Sequence, residues 1–216
     1  MKSTPIRVTA SIAVKIPTII EFLLDETGSM SSYLTQTLNG FRDFVDEQRK
    51  QDGECYFTLT KFDTRGFRTP YTDLDISMVP YLNQNTFIPN AMTNLRDTMM
   101  HRMNAREGLL KSWDIVPRMM FVCMTDGGDN ASSHNIPVVR QRISNTIQNQ
   151  DWAFIYLGAY PGADVAAREL GFPEGNIKCF EGTQMQERMQ ELSSATRAYR
   201  AGETKASNIY ATTTSV

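Results

Sequence analysis

The sequence predicts an α/β fold: a doubly wound, mostly parallel sheet of about six strands, with one short antiparallel edge strand and helices on both faces. Three observations carry this. Short apolar runs alternate with longer stretches of helical periodicity, the pattern of a parallel sheet covered on both faces. A turn composition, "DTRG", joins two of the runs as a hairpin, so one strand runs antiparallel. Two buried runs end abruptly in an acid, at Asp25 and Asp126, and function in such sheets gathers at the carboxyl ends of the strands.

Residues 17–24 read as a buried strand, followed from Met30 to about Lys50 by an amphipathic helix with Leu34, Leu38, Phe41 and Val45 on one face. "CYFTLTKF" (55–62) is the second strand and 67–71 a short third, across the hairpin turn. A looser region with Pro80 and Pro89 leads to a helix over 93–103. The strand "RMMFVCMTD" (118–126), a helix over 134–150, the strand "WAFIYLGA" (152–159) and a short helix over 162–170 follow. A brief strand at 177–180 precedes a last helix at about 183–200, whose Met185, Met189, Leu192 and Tyr199 share a face. Residues 1–15 read as an N-terminal extension, 16–200 as one domain, and 201–216 as a polar tail, mobile unless a partner orders it.

The 216 residues suffice for one sizeable core, and a net charge of −2 gives no bulk attraction to nucleic acid or an anionic membrane. No apolar run is long enough to cross a bilayer. "MKSTPIRVTASIAVK" is interrupted by Arg7 and Lys15 and makes a poor secretory signal. Cys55, Cys123 and Cys179 are odd in number, without a C-x-x-C, and read as small buried apolar residues in a reducing, cytoplasmic setting. Met119, Met120 and Met124 read as core filler. Glu21 breaks the pattern: a charge inside the expected central strand must be neutralised, by protonation or by Lys61 on the neighbouring strand.

Within "DETGSM" (25–30), Asp25, Thr27 and Ser29 stand at every second position where the chain leaves its strand. With "MTNL" (92–95) and "TDGG" (125–128), this stretch resembles the three loops of a von Willebrand factor type A (VWA) domain. The resemblance extends over about residues 16–200 and implies a Rossmann-like sheet of order 3-2-1-4-5-6 with a metal-ion-dependent adhesion site (MIDAS). The D-x-S-x-S pattern falls on Asp25, Thr27 and Ser29, the distant threonine on Thr93, and the later acid on Asp126. Thr27 stands where the family pattern has serine; the hydroxyl is kept and the added methyl stiffens its rotamer.

Two carboxylates and three hydroxyls, with no His or Cys, are hard oxygen donors that suit Mg²⁺, Mn²⁺ or Ca²⁺ and disfavour zinc or copper. The resemblance further implies that the ion takes a Glu or Asp from a protein partner, which makes the chain an interaction module, an adaptor or assembly subunit. Glu26, Met30, Tyr81, Asn83, Asn90, Met92 and Asp129 would form the partner-binding rim.

Blander readings stand beside these. Asp25 or Ser29 could cap the following helix, and "TDGGDN" could be a surface turn. Two other functions compete: a metal-assisted phosphoesterase, for which Asp129 or His134 would have to supply the base, and a structural subunit with a relic site. No G-x-G-x-x-G or P-loop follows any strand.

Overall fold

A computed structural model describes residues 15–211. Six strands form one sheet of order β3-β2-β1-β4-β5-β6. They are β1 (Thr18–Asp25), β2 (Cys55–Asp63), β3 (Gly66–Asp75), β4 (Arg118–Thr125), β5 (Ala153–Gly158) and β6 (Ile177–Cys179). Every pairing is parallel except β2 with β3. The helices are α1 (Leu34–Arg49), α2 (Leu95–Leu110), α3 (Ile136–Gln150), α4 (Ala163–Leu170) and α5 (Met185–Ala201).

The period-two alternation of β1 feeds two cores. Ile20, Phe22 and Leu24 pack with Phe41 and Phe44 of α1 and Met189 and Leu192 of α5. Ile19 and Leu23 pack on the opposite face with Met99 and Met103 of α2 and Ile143 of α3. The chain builds β1 to β3 outward in one direction, then crosses back to start β4 on the other side of β1. Strand order therefore reverses between β1 and β4, and the crevice between their carboxyl ends is where such sheets bind ligands.

Several boundaries move. Gly28–Tyr33 is a 3₁₀ turn, so α1 begins at Leu34 rather than near Met30. β3 is twice the expected length, because an edge strand tolerates Pro70 and two register shifts against β2. Cys55 and Cys123 are buried as expected, but Cys179 is exposed, since β6 is a three-residue edge strand paired on one side only. The expected mobile tail is also corrected as far as residue 211. Ala206, Ile209 and Tyr210 are buried, and Asn176 fastens them by donating to Ala206 O (2.7 Å) and accepting from Ile209 N (2.9 Å). The expected extension over 1–15 lies outside the described residues except for Lys15. Among the described residues, no helix is long and apolar enough to cross a membrane.

Glu21 is fully buried and its partner is not Lys61, which serves Glu26 instead. It shares the α2 face of β1 with Ile19 and Leu23, and α2 presents two arginines one turn apart. Arg102 Nε donates to Glu21 Oε1 (2.7 Å), and Arg106 donates to Oε2 through Nε (3.0 Å) and an Nη (2.7 Å). Arg106 also reaches Thr58 Oγ1 (2.8 Å) and Asp73 Oδ1 (2.6 Å). Asp73 holds a left-handed backbone (φ 48°) at the irregular end of β3, which aims its carboxylate at Arg106. Two acids and two guanidinium groups thus neutralise one another between sheet and helix.

Removing one member of such a cluster strands the others. Glu21→Gln should destabilise the fold by about 3–5 kcal/mol, lowering the melting temperature by roughly 6–20 °C for a chain of this size. Replacing Glu21, Arg102 and Arg106 together by methionine should recover much of that loss. A Glu21→Gln variant that melts with wild type would show that the cluster carries no stability.

Candidate metal centre

The candidate site lies at the β1/β4 crevice. Asp25 closes β1 and is wholly buried. Its Oδ1 accepts from Thr27 N (2.8 Å), a local Asx turn, and its Oδ2 accepts from the Thr125 hydroxyl at the end of β4. This is not helix capping: neither the 3₁₀ turn nor α1 has a side-chain cap at its start. Thr27 Oγ1 lies 3.2 Å from Ser29 Oγ, and Ser29 Oγ donates to Asp126 Oδ1 at 2.6 Å. Four of the five expected residues are thereby brought together, although Ser29 and Asp126 stand 97 positions apart in the sequence.

Thr93 is delivered by the segment before α2. Its backbone is clamped to the loop after Asp126: Thr93 N donates to Asn130 Oδ1 (3.0 Å), and Thr93 O accepts from Asn130 N (3.1 Å) and Ala131 N (3.0 Å). A β-carbon placed on Gly127 would lie 3.7 Å from Thr93 Oγ1 and 4.0 Å from Ser29 Oγ. Both hydroxyls therefore face the space that Gly127 leaves open.

The residues present fit a hard cation. Their donors are all oxygens, and among the described residues no group of three or more His, Cys, Asp or Glu side chains forms a metal cluster of another type. Electrostatics point the same way. Burial pushes the Asp25 carboxyl up to about 6, against hydrogen bonds from Thr125 and Thr27 that oppose the shift. Burial likewise raises Asp126, against the Ser29 hydrogen bond. Two desolvated carboxylates at one crevice favour whatever supplies positive charge.

The expected rim is partly redrawn. Met92 and Tyr81 are exposed, and Asn83 lies in an exposed turn whose Oδ1 accepts from Asn85 N (2.8 Å). Met30 is instead fully buried, because the 3₁₀ turn rotates it into the α1/α5 core. Glu26 is buried too, alternating away from its neighbours Asp25 and Thr27 to meet Lys61 Nζ (2.9 Å), Ile88 N (2.7 Å) and Arg68. Asn90 braces the backbone: its N donates to Glu26 O (2.9 Å) and its Oδ1 accepts from Ala91 N (2.7 Å), holding Ala91 in a left-handed conformation (φ 64°).

Asp129 is not a solvated acid. It accepts from Arg96 N (2.7 Å) in the first turn of α2 and from Ser132 Oγ (2.7 Å), shaping the loop. His134 Nδ1 lies 2.7 Å from Asp97 Oδ1, outside the hydrogen-bonded network of the crevice.

No protein-family model and no curated protein matches the sequence. Solved structures do match the fold. Proximal thread matrix protein 1 from the mussel byssus, in a form described as having a zinc-occupied MIDAS motif, superposes with a TM-score of 0.57 at 13% identity, over 82% of this chain and 47% of that one. A von Willebrand factor type A protein from Catenulispora acidiphila gives 0.59 at 11% identity, over 85% and 43%. The ArnB paralog VWA2 from Sulfolobus acidocaldarius gives 0.50 at 14%, over 82% and 45%. The chain thus has the fold of VWA domains, and it spans less than half the length of the structures it matches.

In the metal-free protein a folded-state pKa of about 6, above the ordinary 3.8, means that the native state binds the Asp25 proton more tightly than the unfolded state does. Stability from this group is present below about pH 4 and is lost as pH rises toward 6, by about 1–3 kcal/mol. Asp25→Asn should therefore raise the metal-free melting temperature at pH 7 while abolishing any gain from added cation. The Thr125 hydroxyl can turn to Gly127 O, 2.9 Å away, to accommodate the amide. Loss of stability together with a retained cation response would contradict this account.

Proposed function

We propose that the chain is a metal-dependent protein-interaction module whose divalent ion bridges to a Glu or Asp of a partner. The observation that carries the reading is the convergence of Asp25, Thr27, Ser29 and Asp126, with the Thr93 hydroxyl facing the same Gly127 gap. Asp25, Thr27, Ser29, Thr93 and Asp126 would hold the ion, Mg²⁺ being the reference choice with Mn²⁺ or Ca²⁺ as alternatives. When bound, such an ion supplies a positive centre that accepts a further oxygen ligand from outside. Thr125 and the Thr27 amide hold the Asp25 carboxylate fixed, and the Ser29 hydroxyl does the same for Asp126. The Thr93 hydroxyl has no hydrogen-bond partner among the described residues and is free for an added group.

The fold supports this reading because the site occupies its strand-order reversal. The mussel protein's MIDAS is described as zinc-occupied, which supports a divalent ion at this place in the fold and makes zinc a necessary comparison. The phosphoesterase alternative is less well supported, since Asp129 is engaged with Arg96 N and Ser132 and His134 pairs with Asp97 outside the hydrogen-bonded network of the crevice.

Thermal melts with Mg²⁺, Mn²⁺, Ca²⁺ or Zn²⁺ against EDTA, on wild type and Thr93→Val, test the proposal. An ion at 100 times its dissociation constant should stabilise by about 2.7 kcal/mol, a rise of roughly 5–10 °C. The rise should vanish in Thr93→Val, which keeps the side-chain volume and net charge. No rise with any ion at millimolar concentration would leave a VWA fold without a working metal site.

A further inference from the structure

Beside the crevice lies a cavity of about 700 Å³ whose wall includes Glu26, Lys61, Arg68, Tyr71, Leu82 and Ile88. Its size falls within the range of ligand pockets, about 300–1,000 Å³. The loop that carries Asp25, Thr27 and Ser29 forms part of this wall, because Glu26 alternates to the opposite side and its carboxylate meets Lys61, Arg68 and Ile88 N.

Charge and surface together select an occupant. Lys61, Arg65 and Arg68 meet the carboxylates of Glu26 and Asp63, three cations against two anions. The Arg65 and Arg68 side chains remain 43% and 41% exposed, within reach of an incoming acid. The wall between them is apolar, with Pro70, Leu82 and Ile88, and it contains the Tyr71 hydroxyl, buried without a hydrogen-bond partner. Exposed apolar side chains continue the surface toward the crevice: Ile88 is 56% exposed and Met92, next to Thr93, is also 56% exposed.

The segment between them is fastened at both ends. Ile88 N donates to Glu26, Met92 N donates to Thr64 Oγ1 (3.2 Å), and Gly28 N donates to Ala91 O (3.1 Å). Cavity and crevice are thus two openings along one ordered strip of backbone.

We propose that this cavity is the second half of a two-point recognition site. It takes a bulky aromatic or aliphatic side chain from the same acidic peptide segment whose carboxylate reaches the metal, with a further acid of that segment on Arg65 and Arg68. The inference rests on the metal-bridged reading above and adds the chemistry of the partner.

The test is a selection of random dodecapeptides displayed on phage against the full chain in Mg²⁺, eluted with EDTA. Selected peptides are then synthesised and their affinities measured on wild type and Ile88→Glu. Ile88 is exposed, so the variant should fold and keep the wild-type rise in melting temperature with Mg²⁺, which shows an intact crevice. EDTA-released peptides should carry a bulky apolar residue within a few positions of an acid, and Ile88→Glu should weaken them about tenfold or more. Released peptides that share only an acid, and bind Ile88→Glu as tightly as wild type, would overturn the cavity's role and leave the metal-bridged reading standing. A selection yielding no peptide released by EDTA would overturn both.

Discussion

The ion cluster of buried Glu21, Arg102 and Arg106 with half-buried Asp73 is the interaction on which the rest of this molecule depends. It joins the middle strand to the edge strand β3 through a helix that belongs to neither. Glu21 and the two guanidinium groups would each be costly there alone, so the cluster is satisfied only when β1, β2, β3 and α2 come together in register. The quartet also docks the middle of α2 on β1. Thr93 lies immediately before that helix, and Asp129 grips its first turn, so the helix position decides where the Thr93 hydroxyl meets Gly127.

At the carboxyl edge, the design reverses. Glu21 is fully matched by its neighbours, whereas Asp25 and Asp126 have hydroxyls and amides but no cation in hydrogen-bond contact among the described residues. The same strand therefore carries one acid that is internally neutralised and another, four residues on, that is not. Hydroxyl donors hold the second acid in place without cancelling its charge, the unequal treatment expected of the proposed site rather than of a structural ion cluster.

Much of this was legible in the residues, for local reasons. Periods of two and 3.6 placed the strands and helices, and the alternation of Asp25, Thr27 and Ser29 placed three oxygens on one side of a turn. The unread parts depend on contacts distant in the chain. Glu21 announced that a cation was required, yet its partners lie 81 and 85 residues away on a helix with little amphipathic contrast. The available signal was Arg102 and Arg106 at i, i+4 on the face that also carries Met99 and Met103. The same alternation that organised the crevice should have excluded Glu26 from the rim, since an even position must face the other way. Met30 was misplaced because a 3₁₀ turn advances three residues per turn and shifts every following side chain. The polar composition of the tail concealed Ala206, Ile209 and Tyr210, which pack into the core and are fastened by Asn176 just before β6.

Ala91 has a consequence for encounter rates. A non-glycine residue held left-handed costs about 1 kcal/mol or more, and glycine would relieve that cost at the expense of a floppier unfolded chain. Alanine here narrows the backbone choices of the strip from Ile88 to Thr93, and the hydrogen bonds with Asn90 and Gly28 latch its left-handed conformation without a ligand. For a partner of the kind proposed, association with such an edge would not wait for a loop to order. Its speed would be governed by diffusion and orientation, and selectivity among partners would then be expressed in how long they stay.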